Sequence, residues 1–546
     1  MNNLTTSTHR LIAGKLRRWN DGRAEEAYRR GWWVSGTLAE ALTKAAVETP
    51  ERVVIVEGER QITCSSLGRQ ATAIARALMS RAAPGATVSF MLPNWYEAAV
   101  VYLGASIAGM VVHPILPSLR ESELLYMLRD VDSRVVFIPE TFREHDYLAM
   151  LETVVAQMER PPELIVLRGN ARSHTPYEDL LSERHTLSLP EVDADAVQMV
   201  LYTSGTTGTP KGVMHSHNSM HALVRQLGEN WLIEPGDRFL VPSPVSHIGG
   251  SIYAFEFPLL LGTTAVLMDQ WNAEVGVDLI AGHGCTHMAG ATPFLEQLMS
   301  AAKQKNSCLR SLKLFVCGGA AVPPALIKAA ALQFDGAVIT RVYGSTEVPV
   351  TTVGALDRAD IIHAAQTDGR VAFAKIKLVA HDAARTGEGE IFARGPQMLV
   401  GFVHTEDEVG VFDDEGFYRT GDIGYWVDAD YLVVSGRAKD IIIRKGENIS
   451  PKEVEDILLE HPDVGEVAIV GIPHATTGEQ ACAIIVRRNE RTLSLEEISA
   501  FLAAKGIAAF KRPERLEVWD TLPKNATGKI LKNEIRASLL TSRNRL

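Results

Sequence analysis

The segment Tyr202–Val213 reads YTSGTTGTPKGV and follows the apolar run AVQMVL. Glycines admit close approach of backbone to a ligand. Small hydroxyls, exposed backbone N–H groups and one ammonium are together what a polyphosphate needs. A surface turn is the plainer reading, but a turn has no use for so many hydroxyl and glycine positions before Pro-Lys-Gly. The Walker A loop does not fit. Pro210 precedes Lys211 where that loop needs glycine, and Gly212 follows where it needs a metal-binding hydroxyl. The segment therefore reads as a phosphate loop of another kind.

Three further clusters carry chemistry. FVCGGAAV, Phe315–Val322, is a strand running into glycines, and a strand's carboxyl end with that much room suits a flat ring. VYGSTE, Val342–Glu347, adds a tyrosine that can stack on a base, a threonine that can donate to phosphate and a carboxylate that can hold Mg²⁺. YRTGDIGYW places Asp422 where it can accept from ribose hydroxyls. Singly, an aspartate in T-G-D is most often a turn residue and a tyrosine most often core. The weight lies in the set and its order.

In that order the clusters resemble the adenylate-forming superfamily, whose phosphate loop follows [ST]-S-G-T-T-G-x-P-K-G, over nearly the whole chain. GATPF, FVCGG, YGSTE and KGENISPKEVEDILLEHP are most similar to medium-chain fatty acyl-CoA synthetases and cyclohexanecarboxylate-CoA ligases. The resemblance implies that Thr203, Ser204, Gly205, Thr206, Thr207, Gly208 and Lys211 bind the ATP phosphates, with Thr206 and Glu347 at the metal. It implies that Gly318, Gly319 and Ala320 line the adenine and acyl pockets, and that Tyr343 packs on adenine beside Gly344. Thr346 would touch the α-phosphate, and Asp422 and Arg437 would hold the ribose. Lys529, in LPKNATGKI, looks like the catalytic lysine. Lys439 stands at the hinge position, and Gly446 in the loop that approaches the pantetheine tunnel. His247, Ile248, Gly249, Phe294, Cys317, Gly318, Gly344 and Val348 are the expected acyl-pocket residues. His247 reads as a gate or wall rather than a general base, with a plain structural histidine as the bland alternative.

These residues need a scaffold. Short apolar runs such as ERVVIVEG, RVVFIP, ELIVL and LKLFVCGG alternate with longer helical stretches, the pattern of parallel sheets covered by helices. The expected fold is α/β. Residues 1–436 form a large N-terminal domain of parallel-rich sheets flanked by helices, 437–440 a hinge, and 441–546 a small mobile α+β domain. In the last, Ser450, Pro451 and Glu453 spell one capping box and Ser494 to Glu497 another, with Gly506 ending the second helix. Ala98–Leu116 carries no formal charge over a span-like length, but Gly109 and Pro114 divide it into a helix and a buried strand. The basic opening three dozen residues read as a solvated helix, with a targeting or membrane-surface helix as the alternative.

Length and composition set bounds. At 546 residues the chain exceeds one compact core. Its net charge of −11 argues against broad nucleic-acid binding. Five scattered cysteines without a C-x-x-C pair fit reduced thiols in a cytoplasmic protein. No signal peptide is read at the N-terminus. The expected partners are a small carboxylic acid, ATP with Mg²⁺, and CoA, without a transmembrane segment; a homodimer is left open. The expected activity is acid–CoA ligation through an acyl-adenylate, on a medium-chain, alicyclic or aromatic monoacid. An acyl-AMP ligase loading a carrier protein and a non-catalytic nucleotide binder are the alternatives. An amino-acid adenylation domain is demoted, because SPVSHIGGSIYAF contains no acid to meet an ammonium and Glu256 comes only after it.

Overall fold

A computed structural model describes residues 9–203, 210–319, 322–380, 387–444, 447–474, 477–524 and 528–543. The alternating pattern builds two large sheets. In one, the strands Glu163–Leu167, Ser133–Pro139, Thr87–Phe90, Val111–Pro114 and Val197–Thr203 run parallel, and Lys211–Ser216 and Gly401–Phe402 close the edge antiparallel. In the other, Val338–Arg341, Leu314–Cys317, His287–Gly290, Arg238–Val241, Thr264–Leu267 and Val53–Glu57 are parallel neighbours, with Arg60–Thr63 antiparallel at the end.

The uncharged stretch after Glu97 is the helix Tyr96–Ile107 followed by the strand Val111–Pro114. Every residue from Glu97 to Ile107 is buried, so the helix is apolar all round because protein encloses it. Gly104 marks the closest approach: a Cβ there would meet Ile74 Cγ2 at 2.7 Å. Arg168 neutralises Glu97 across 2.6 Å. Among the described residues no helix is long and apolar enough to cross a membrane.

A third sheet of four antiparallel strands, Lys375–Val379, Glu388–Arg394, Tyr418–Val427 and Tyr431–Arg437, carries the T-G-D segment. Beyond it, Val464–His474 and Gly478–Arg487 form a long hairpin extended by Ile442–Arg444, Glu447–Ile449 and Arg515–Val518. The helices Pro451–Leu458 and Leu495–Ala504 cover one face and Lys532–Arg543 the other, each over a core of its own.

The second capping box forms as expected, and Gly506 follows its helix at φ +84°. The first does not form. The Ser450 hydroxyl donates to the Ser435 carbonyl at 2.5 Å, while Glu453 pairs with Lys511 at 2.6 Å. Tertiary partners on both sides displace the local cap. The opening segment differs as well. It is a hairpin of His9–Ile12 and Lys15–Arg18, then a helix Asp21–Arg29 that buries Ala24 and Ala27.

Candidate active site

Four adjacent parallel strands deliver candidate residues at their carboxyl ends, the position where open α/β sheets bind ligands. Val338–Arg341 leads to Tyr343 and Gly344, and Leu314–Cys317 to Gly318 and Gly319. His287–Gly290 leads to Phe294, and Arg238–Val241 to His247 and Ile248. Two of the glycines are close approaches. A Cβ on Gly318 would stand 2.9 Å from Val342 Cγ2, and one on Gly344 would stand 2.5 Å from Val350 N. Cys317 and Val348 are fully buried. Burial pushes the Cys317 thiol up to about 12, so it serves as wall and not as nucleophile. His247 caps the short helix Ile248–Ser251, with Nδ1 accepting from Gly249 N at 3.1 Å. Burial lowers its pKa, so the ring is neutral with its proton on Nε2.

The proposed ribose end is a bonded set. Asp422 and Arg437 face each other across neighbouring strands, Nε to Oδ1 at 3.1 Å, and the Tyr343 hydroxyl donates to Asp422 Oδ2 at 2.7 Å. Burial, and then the Asp422 charge, raises the tyrosine pKa well above its ordinary value, so the phenol remains a donor. Tyr418 and Thr420 precede Asp422 across an irregular stretch of the strand, where the pairing register shifts and Gly421 takes φ +73°. Tyr418 donates to the Glu347 carboxylate, and Thr420 Oγ1 accepts from Asp422 N at 3.1 Å.

The strands on either side of the phosphate loop pair antiparallel, and Thr203 and Lys211 face each other. Ser204, Gly205, Thr206, Thr207 and Gly208 lie outside the described residues, as do Ala320 and Gly446. Lys211 rests on Asp407 at 3.0 Å. Two backbone links tie this sheet to Thr346 and Glu347. His215 Nε2 donates to the Thr346 carbonyl at 2.8 Å, and Leu399 N donates to the Glu347 carbonyl at 2.7 Å. Burial brings the His215 pKa down to about 4, so a neutral ring makes that bond at any working pH.

Lys529 joins this set from the far end of the sequence. Asp422 and Arg437 act on its charge, as do Asp440 and Lys439, and the preceding Gly528 lies 3.8 Å, from an ideal Cβ, from Pro293 of GATPF. Burial first, then Arg437, brings its pKa down to about 8. Lys439 sits in the 3-10 turn Ala438–Asp440, which Arg536 anchors through Asp440 at 2.9 Å.

Sequence reasoning missed His215 and Tyr418. For His215 the strand period was a signal, since it shares a face with Lys211; Tyr418 had none, because the register shifts between it and Asp422. His215 holds the Thr346 backbone through its carbonyl. His215→Ala leaves a buried carbonyl unpaired, at a cost of about 1–3 kcal/mol, and adenylate formation falls by about tenfold in kcat. His215→Gln, which keeps an N–H donor, restores much of that rate. A lower Tm with unchanged kcat would make His215 a core residue only.

Comparison with known proteins places this geometry. The AMP-binding enzyme family matches residues 42–403, and the AMP-binding enzyme C-terminal domain matches residues 453–529. A medium-chain fatty-acid–CoA ligase of Escherichia coli (strain K12) is 32% identical over 96% of this chain and 94% of its own. A 2,3-dihydroxybenzoate–AMP ligase of Bacillus subtilis (strain 168) is 29% identical over 95% and 97%. The solved fatty acyl CoA synthetase of Mycobacterium tuberculosis, 27% identical, superposes with a TM-score of 0.71 over 93% of this chain and 99% of that one. The chain belongs to the AMP-binding enzyme family, the adenylate-forming acyl-CoA ligases.

Proposed function

We propose that this protein joins a medium-chain, alicyclic or aromatic monocarboxylic acid to CoA in two steps. The supporting observation is the convergence of Lys529 with Asp422 and Arg437, beside Tyr343. In the first step a carboxylate oxygen attacks the α-phosphorus of ATP, and the bond to the bridging oxygen breaks to release pyrophosphate. In the second the CoA sulfur attacks the acyl carbon and AMP leaves. Residues 1–436 hold acid and nucleotide, 437–440 are the hinge, and 441–546 bring Lys529.

Each residue has a role in this reading. Tyr343 walls the adenine, Asp422 accepts from the ribose hydroxyls, and Thr346 and Lys529 donate to the α-phosphate oxygens. Two anions must meet, and preorganised cations stabilise the charge that develops. Lys211 is less tightly coupled, holding the outer phosphates and leaving with pyrophosphate. Glu347 fits a Mg²⁺ ligand, because Mg²⁺ takes one or two carboxylates and completes its shell with phosphate and water. Tyr418 aims that carboxylate and leaves other lone pairs for a cation. When bound, Mg²⁺ neutralises charge on the phosphates.

Incubation with ATP, Mg²⁺, CoA and a panel of acids, scored for AMP and thioester, tests the whole reading. Acyl-adenylate without thioester at any CoA concentration would make the chain an acyl-AMP ligase, a possibility raised by the dihydroxybenzoate relative. Neither product with any acid would make it a nucleotide binder.

The hinge gives a separate expectation. Once the adenylate exists, Lys529 must withdraw and the thiol must enter, so the small domain rotates. Lys439→Pro fixes φ at the turn and disfavours the helical conformation of Ala438. Adenylate formation stays near normal, and thioester formation from supplied adenylate slows by about tenfold or more. Equal rates in both half-reactions would move the hinge elsewhere.

A further inference from the structure

A cleft with aromatic walls lies outside the site above. It opens to solvent, encloses about 100 Å³, and is lined by the N-terminal hairpin and helix on one side and by Phe373–Val400 on the other. Five cations line it, Arg17, Arg18, Arg23, Lys375 and Arg394, against one carboxylate, Glu26. Glu26 is already paired with Arg30 at 3.0 Å, and Arg18 with Glu408 at 2.8 Å. Arg23 and Lys375 have no ion pair among the described residues, and Arg394 donates to the Glu415 carbonyl at 2.5 Å. This surplus stands in a chain whose net charge is −11.

Arg17 lies beneath the cleft and adds charge under its floor, with its guanidinium 4.8 Å from the centroid of Trp19. Its side chain is fully buried, and none of its three guanidinium nitrogens has a hydrogen-bond partner among the described residues. The Asp195 carboxylate stands off at 4.0 Å. Buried guanidinium donors left open are costly. The crowding is also felt at Arg23, which burial, then Arg394 and Arg18, bring down to about 10. The apolar walls are rings. Trp32 meets Phe373 at 5.0 Å, Trp19 meets Trp33 at 5.9 Å, and all four are only half-buried. Trp33 Nε1 is fixed on the Pro396 carbonyl at 3.0 Å.

From this we infer that the cleft binds an adenine nucleotide carrying two or more phosphates, separately from the catalytic nucleotide. A monocarboxylate would answer one or two cations and leave the rest repelling. A polyphosphate answers several, and a base stacks on the half-buried rings. Val400 of the floor accepts from Arg18 N at 2.7 Å, and its neighbour Leu399 donates to the Glu347 carbonyl at 2.7 Å.

The nucleotide has two sources, free ADP or ATP and the 3′-phospho-ADP half of CoA. The test blocks the catalytic site with an acylsulfamoyl adenosine and titrates the intact protein with ADP, ATP and 3′-phosphoadenosine 5′-phosphate, by equilibrium dialysis and by quenching of tryptophan emission. One further equivalent of nucleotide is expected per chain, with quenching. Preference for the 3′-phosphorylated ligand assigns the cleft to CoA, and preference for ADP or ATP to the free nucleotide. The variant R23E with K375E, neither residue being core, weakens this binding by at least tenfold, while the inhibitor still binds. Trp32→Leu removes most of the quenching and is the independent check if the charge-reversed protein does not fold. No second equivalent at millimolar nucleotide, or binding unchanged in these variants, overturns the inference. So does saturation by benzoate or octanoate in place of nucleotide. Failure of the catalytic reading would show separately, as no binding of the blocking inhibitor.

Discussion

Replacing Lys529 with alanine lowers adenylate formation from acid and ATP by about a hundredfold to a thousandfold and leaves thioester formation from supplied acyl-adenylate unchanged. The asymmetry follows from where charge develops. In the first half-reaction two anions approach, and an ammonium held beside Asp422 and Arg437 faces the growing negative charge. In the second a neutral thioester forms and AMP leaves, with Lys529 withdrawn. Equal loss in both half-reactions would remove the assignment.

The same lysine sets a pH dependence. Its ordinary pKa is 10.5, and burial together with Arg437 brings it to about 8. The charged form is the active one, so kcat/KM for adenylation is flat below that value. Above it the rate falls by about tenfold per pH unit. Bound ATP adds negative charge nearby and favours the ammonium, so the limb in kcat lies at higher pH than the limb in kcat/KM. Lys529→Arg, charged throughout, loses the alkaline limb whatever its absolute rate. A limb that persists in the arginine variant would belong to another group.

The sheets, and the strand ends on which the motifs stand, were legible because each rests on local chemistry. An apolar run before a glycine-rich loop reads as a strand with a ligand at its end, and FVCGG and VYGSTE do lie at the carboxyl ends of adjacent parallel strands. What sequence reading lost depends on partners distant along the chain. Ser450 looked like a helix cap until the Ser435 carbonyl is seen beside it. His215 was not singled out, because the Thr346 carbonyl that its ring meets lies 131 positions away. The opening basic segment looked like a solvated helix, because charge alone does not reveal that Arg17 turns inward beneath Trp19, with its guanidinium 4.8 Å from the ring centroid. Of the phosphate loop, Thr203 and Lys211 belong to described strands, and the intervening hydroxyls rest on the sequence argument alone.

The acid itself is the remaining question, and charge decides most of it. The residues proposed for the acyl pocket offer buried Cys317, Val348 and Ile248, the ring of Phe294, and a neutral His247. Arg341 follows the same sheet but is spent on Asp368 at 2.6 Å and on the Ala365 carbonyl at 2.9 Å. Glu256, the first acid past the His247 segment, is fully buried and accepts from Tyr102 at 2.5 Å. Burial raises its pKa to about 8, so near neutral pH it is an uncharged carboxylic acid and offers an ammonium no counter-charge. Desolvating a second carboxylate or an ammonium without a partner costs several kcal/mol, on the order of a hundredfold or more in specificity. Octanoate, cyclohexanecarboxylate or benzoate is therefore used at least about a hundredfold better than a size-matched dicarboxylate or amino acid. The measurement is kcat/KM for each acid at saturating ATP and CoA. A dicarboxylate or amino acid that equals the best monoacid would mean that a charged side chain reaches the tail, with Glu256 ionised the first candidate for an amine. Glu256→Gln separates the cases: it removes amino-acid activity if that carboxylate is the partner, and leaves monoacid activity in place because the buried group was neutral from the start.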